Sequence, residues 1–155
     1  MKPEAGAESM SGAHLERAIA LAVEAHAGQA DKAGMPYILH PLRMLLRMTT
    51  PDEMMAAVLH DVVEDTPVTL DALRAEGFPE SVIAAVDAVT RRRDESYEAF
   101  VERAASDPVG RRVKIADLED NMNLLRLGER GVSEKDVERL NRYLKAWRHL
   151  TGGAA

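Results

Sequence analysis

The stretch TPDEMMAAVLHDVVEDTP, Thr50 to Pro67, decides how this chain folds. Its apolar residues Met54, Met55, Val58, Leu59 and Val62 recur at steps of three and four, the period of a helix and not of a strand. Thr50 is a good N-cap, and Pro51 suits the first helical position because its missing N–H has no partner there anyway. Pro67 fixes φ and lacks a donor, so the run ends before it. The reading predicts one amphipathic helix that finishes on His60, Asp61, Glu64 and Asp65. A helix C-terminus already carries partial negative charge, so acids there call for a compensating cation.

The same periodicity extends in both directions. Leu15, Ala18, Ile19, Ala22 and His26 share a face of a first helix, with Ser11 placed to cap it. GQADKAGMPY is a loop by its glycines and proline. His40 precedes Pro41, which disfavours helical backbone at His40 and puts it just ahead of a short helix over residues 42–48. Beyond Pro67, Thr69 caps a short helix ended by Gly77, and Pro79 opens one carrying Val82, Ile83, Val86 and Val89. A basic turn, TRRRDES, precedes a helix over residues 97–105, and Asp107-Pro108 starts another reaching Asn121. Ser133 and Asp136 form a capping-box pattern for a last helix, with Val137, Leu140, Leu144 and Trp147 on one side. No alternating strand stands out. The expectation is an all-α fold: one domain over residues 11–150, six to eight helices, and flexible termini at 1–10 and 151–155.

Bulk properties narrow the function. The chain has 155 residues, 46% of them hydrophobic, the size and content of one domain with its own core. A net charge of −6 argues against nucleic acid as a partner. No apolar run suits a signal peptide or a membrane span, so a cytoplasmic protein with no membrane contact is the expectation. The absence of cysteine removes disulfides, thiolate metal sites and a thiol nucleophile. Any metal must be held by His, Asp or Glu.

Three segments carry such groups. In LHDVVEDT, adjacent His60 and Asp61 can converge on one ion, and mixed nitrogen and oxygen ligation suits a borderline divalent metal. The plainer reading is a solvated helix end. In VKIADLEDNMNL, Lys114, Asp117 and Asn121 form one helical stripe, and a carboxylate on such an apolar segment needs a partner. That partner is either a metal or simply Lys114 one turn away. In GMPYILHP, His40 is held at a rigid junction, as a ligand or as a helix cap. His26 reads as a buried, hydrogen-bonded histidine.

Taken together, His40, His60-Asp61 and Asp117 follow the order H…HD…D. The chain thereby resembles the HD superfamily of metal-dependent phosphohydrolases, and more closely the hydrolase domain of RelA/SpoT-type enzymes that degrade guanosine alarmones. AHAGQADKAGMPYILHP, LHDVVEDT and VKIADLEDN carry the likeness, over about residues 25–125. The resemblance implies an HD helical bundle in which His40, His60, Asp61 and Asp117 bind one divalent ion, usually manganese. It assigns Glu64 and Asp65 to catalysis and places Asn121 by the nucleotide. The implied reaction removes the 3′-pyrophosphate of (p)ppGpp, leaving GDP or GTP, in a protein that degrades alarmones without making them. Lys32 and Lys114 lead the candidates for phosphate contacts, with Arg43, Arg111, Arg112 and the run Arg91 to Arg93 behind them. Tyr37 and Tyr97 are candidates to pack on a sugar or base.

The departures concern the base. Asp31 stands where the family usually has an arginine of its RK-S-G-E-P-Y loop, Leu118 where it has the arginine of ADR, and Met35 where glutamate is frequent. An adenosine alarmone or another nucleotide is the alternative substrate, and a non-catalytic nucleotide-binding module the alternative role. The intact Glu64-Asp65 pair favours an enzyme. The partner expected is a phosphorylated nucleotide, acted on by a monomer or a homodimer.

Overall fold

The computed structural model describes the backbone of residues 5–153 and the side chains of residues 11–153. Its helices in chain order are α1 (Ala5–Ala25), α2 (Leu39–Leu45), α3 (Pro51–Leu59), α4 (Val62–Asp65), α5 (Leu70–Ala75), α6 (Glu80–Val89), α7 (Tyr97–Ser106), α8 (Pro108–Asn121) and α9 (Glu134–Thr151). A 3₁₀ segment, Leu124–Arg130, joins α8 to α9. Among the described residues there is no strand, only an isolated bridge between Ala30 and Pro36 across the first loop. Counting α3 and the single turn α4 as one interrupted rod gives eight helices among the described residues, within the expected range. The ends expected to be flexible fall partly outside the described residues, at 1–4 and 154–155.

Helix starts follow local chemistry. Thr50 and Glu53 form a full capping box: the Thr50 hydroxyl accepts from Glu53 N–H and the Glu53 carboxylate reaches back to Thr50 N–H. Ser133 and Asp136 do the same for α9. Thr69, Ser96 and Asp107 each cap the helix that follows by accepting a backbone N–H. Gly77, at φ 88°, takes the left-handed conformation that closes the α5 corner. Ser11 is not a cap, because α1 begins at Ala5 and runs through it.

Two expected helices are placed differently. The Thr50–Pro67 rod is broken at His60-Asp61. The His60 imidazole donates from Nδ1 to the Ala57 carbonyl at 2.8 Å, the acceptor that Asp61 N–H would use in a continuous helix. Glu64 and Asp65 therefore lie in a new turn and not at the end of an old one. The short helix also starts earlier than expected, at Leu39, so His40 is helical. Pro41 is tolerated because it falls in the first turn, where its N–H would have no intrahelical partner.

Helix α3 is the centre of the molecule. It contacts α1, α2, α6 and α8, and Met55, Val58 and Leu59 on it are fully buried. Each such side chain contributes about 1.5–3 kcal/mol by leaving water. The main core gathers Ala18 and Ala22 of α1, Met44 of α2, Val82, Ile83 and Val86 of α6, and Val113 of α8 around it. A second, smaller core joins α7, α8 and α9 through Val101, Leu118, Ala146 and Leu150. On α9 the buried line is therefore Ala146 and Leu150 with Tyr143 and Trp147 beside them, while Val137 and Leu144, expected inside, face outward. Helices α2, α3 and α8 touch one another pairwise, and the candidate site lies where they meet.

Candidate metal centre

Each of the three meeting helices delivers one piece. Helix α2 brings His40, the break after α3 brings His60 and Asp61, and α8 brings Asp117. His40, His60 and Asp61 each offer a ligand atom within 4.8 Å of the others. Asp117 Oδ1 lies 3.2 Å from His40 Nε2 and 3.8 Å from His60 Nε2. The two imidazole rings meet edge to face with centroids 5.1 Å apart. Segments up to 77 residues apart in sequence are thus brought onto one point.

The environment of each group suits cation binding. His60 commits Nδ1 to Ala57, which leaves Nε2 bare, buried and without a hydrogen-bond partner, 2.8 Å from Asp61 Oδ2. Burial opposes charge on His60, yet Asp61 and Asp117 carry its pKa up to about 9. Burial likewise opposes the charge of Asp117, but Lys114, with Nζ 2.8 Å from Oδ2, and the two histidines hold it well below the usual carboxylate range. Asp61 is also held low against its burial, by His60 and by the Tyr37 hydroxyl that donates to it. Two carboxylates facing imidazole nitrogens make an anionic pocket, and the residues present fit a divalent ion.

The other expected residues separate into groups. Glu64 and Asp65 join Asp61 in a second set of oxygens within 4.8 Å of one another, at the open edge of the site. Partial burial, with the neighbouring acids, raises the pKa of both. Glu64 Oε1 accepts the backbone N–H of Arg91 at 2.6 Å. The arginine run, a lower-ranked candidate for phosphate contacts, thus positions a catalytic candidate through the main chain of Arg91. Lys32, Tyr37 and Asn121 line a groove of about 230 Å³ together with Asp31, Arg126 and Arg139. Asn121 also donates to Asp117 Oδ1 at 2.7 Å, so one residue touches both groove and centre. Lys114 is buried beneath Asp117 and over the Phe100 ring, so the plainer reading of that pair is also true. Tyr97 lines a different groove, between α7 and α9. Arg43 and Arg112 are paired with Asp120 and Glu53. His26 is buried, bonded through Nδ1 to Gln29 at 2.8 Å and packed on Tyr37.

Of the three departures, Leu118 faces away from the groove into the second core. Asp31 lines the groove, and its Oδ1 caps the loop by accepting from Ala33 and Met35 N–H, both at 2.9 Å. Met35 is exposed.

A family model described as HD domain matches residues 18–141. The chain belongs to the HD domain family. Divalent metal binding goes with that membership, and the His and Asp cluster above is where this HD domain would hold the ion. It is 33% identical over 123 residues to a guanosine-3′,5′-bis(diphosphate) 3′-pyrophosphohydrolase of Aquifex aeolicus, covering 72% of this chain and 18% of that one. It is 36% identical over 134 residues to a GTP pyrophosphokinase of Streptomyces coelicolor, covering 78% and 16%. To the bifunctional (p)ppGpp synthase/hydrolase SpoT of Escherichia coli K12 it is 34% identical over 126 residues, covering 72% and 18%. The HD domain thus spans less than a fifth of the length of these curated relatives. Among solved structures, a metazoan ortholog of SpoT that hydrolyses ppGpp superposes with a TM-score of 0.74 at 23% identity, over 99% of this chain and 89% of that one, and so shares the fold. Among the described residues no helix is long and apolar enough to cross a membrane.

Proposed function

We propose that this HD domain hydrolyses the 3′-pyrophosphate of guanosine alarmones, with Mn²⁺ as the bound ion. The observation that carries the reading is the placement of three parts side by side: a His/Asp centre, a pair of carboxylates at its edge, and a groove reached through Asn121. The names of the relatives point to the same bond in the same nucleotide.

His40, His60, Asp61 and Asp117 would hold the ion, which supplies an activated water and polarises the phosphoryl oxygen. The chain's own residues do the rest. Lys114 and Asn121 fix Asp117 from both sides of its carboxylate. Tyr37 fixes Asp61. Glu64, steadied by Arg91 N–H, and Asp65 are the bases of this reading, and partial burial beside Asp61 raises the pKa of both, the direction that favours accepting a proton. The water oxygen bonds to the phosphorus on O3′, and the P–O3′ bond breaks. The water's proton passes through the carboxylate to O3′. Pyrophosphate leaves, and the nucleoside keeps its 5′ phosphates. Lys32 and Arg139 at the groove wall offset the charge of those phosphates.

Product analysis tests this. With Mn²⁺ present, ppGpp should yield GDP and pyrophosphate, faster than an adenosine alarmone, ordinary triphosphates or monophosphates. Release of orthophosphate or triphosphate from ordinary nucleotides, with ppGpp untouched, would overturn the proposal.

A further inference from the structure

His40 is bracketed by two carboxylates of one helix. Asp117 Oδ1 stands 3.2 Å from its Nε2, and Asp120 Oδ2 stands 2.6 Å from its Nδ1. The spacing of three residues puts both acids on the same face of α8, one on each side of the imidazole. A neutral imidazole has one N–H, and the shorter contact places it on Nδ1, toward Asp120. Nε2 and Asp117 then face each other as two acceptors, a repulsion that a divalent ion between them relieves in place of a second ring proton.

Asp120 is itself held. Arg43 donates to Oδ1 at 2.9 Å and to Oδ2 at 3.0 Å, and Arg126 Nη1 lies 2.9 Å from Oδ2. Asp120 is buried, and this clamp fixes where its oxygens point. Arg126 also donates to Asn121 Oδ1 at 3.2 Å and lines the groove. We propose that Asp120 is a positioning residue for the metal centre: it holds the Nδ1–H tautomer of His40 and aims Nε2 at the ion. This rests on the reading of His40 as a metal ligand. A partner on the far nitrogen of a metal-binding histidine fixes the ring and raises its basicity, and losing it lowers metal affinity about 10–100-fold.

The test combines a variant with a spectroscopic measurement on the unaltered protein. Mn²⁺ binding, followed by the EPR signal of the free ion, should weaken at least about tenfold in Asp120→Asn. Circular dichroism should show the same helix content in both proteins. In the wild-type chain loaded with diamagnetic Zn²⁺, ¹⁵N-resolved NMR of His40 should show the proton on Nδ1 and a metal-shifted Nε2. Equal Mn²⁺ affinity in wild type and variant removes this inference and leaves the metal centre standing. So does a Zn²⁺-bearing Nδ1, which needs no folded variant to detect. No Mn²⁺ binding by the wild-type chain removes the metal centre and this inference together.

Discussion

Leu118 is fully buried among Val101, Ala146 and Leu150, although its position carries an arginine in the enzymes the chain resembles. Restoring that arginine is therefore not expected to restore anything about base recognition. Leu118→Arg places an unpaired guanidinium in an apolar core and should lower stability by roughly 3–5 kcal/mol. Urea denaturation reads the loss, and a stable variant with a lower KM for ppGpp would contradict the burial argument. Glu64 offers the opposite case, a side chain whose removal should spare the fold. Glu64→Gln should lower kcat by about 10²–10⁴-fold while Mn²⁺ binding stays unchanged, if the residue moves protons and does not bind metal. Steady-state kinetics alongside an EPR titration separates the two roles. The cluster of His40, His60, Asp61 and Asp117 was legible in the sequence because three separate motifs each carried one recognisable piece. Asp120 was not, because nothing in EDN distinguishes a solvated acid from one facing a histidine 80 residues away.

At the level of elements, apolar period located nearly every helix, and caps located their starts. The break after α3 escaped that reading because Val58, Leu59 and Val62 keep helical spacing straight across it. Its cause is a side chain taking a backbone acceptor, and periodicity is blind to that. The outward face of α9 escaped for a related reason: its spacing allows two neighbouring stripes, and only the position of α7 and α8 chooses between them. Helix α8 also crosses close to its neighbours at Gly110, where an added Cβ would meet Ala88 Cβ at 3.1 Å and the Ala104 carbonyl at 3.3 Å. Gly110→Ala should therefore lower the melting temperature, with overpacking of about 1–3 kcal/mol outweighing a helix-propensity gain of at most about 1 kcal/mol. The turn before α7 is pinned by Arg103, which donates to both oxygens of Glu95 at 2.7 and 2.8 Å and to the carbonyls of Asp87 and Thr90. Those bonds from Arg103 bring the Glu95 pKa down from 4.5 to about 2. A depressed carboxylate stabilises the fold above its unfolded pKa, and that stabilisation disappears as pH falls through the folded one. The stability gap between wild type and Glu95→Gln should thus be constant near neutrality and shrink as pH drops from 4.5 toward 2. Denaturation midpoints across that range check it.

In the whole molecule, the packing of α2, α3 and α8 turns three distant motifs into one centre. Because the proposed ligands come from all three helices, an ion that binds only the folded chain should stabilise it. Mn²⁺ should raise the melting temperature, with a rise that grows as the logarithm of its concentration above Kd, and a chelator should return it to the metal-free value. Charge, by contrast, says little at this scale, since the net −6 coexists with a groove wall on which Lys32, Arg126 and Arg139 outnumber Asp31 and Asp136. The most direct measurement is anomalous diffraction from a crystal soaked in Mn²⁺. A single strong peak within coordination distance of His40 Nε2, His60 Nε2, Asp61 and Asp117 is the predicted result. A peak held by Asp61, Glu64 and Asp65 alone, or none at all, would contradict it.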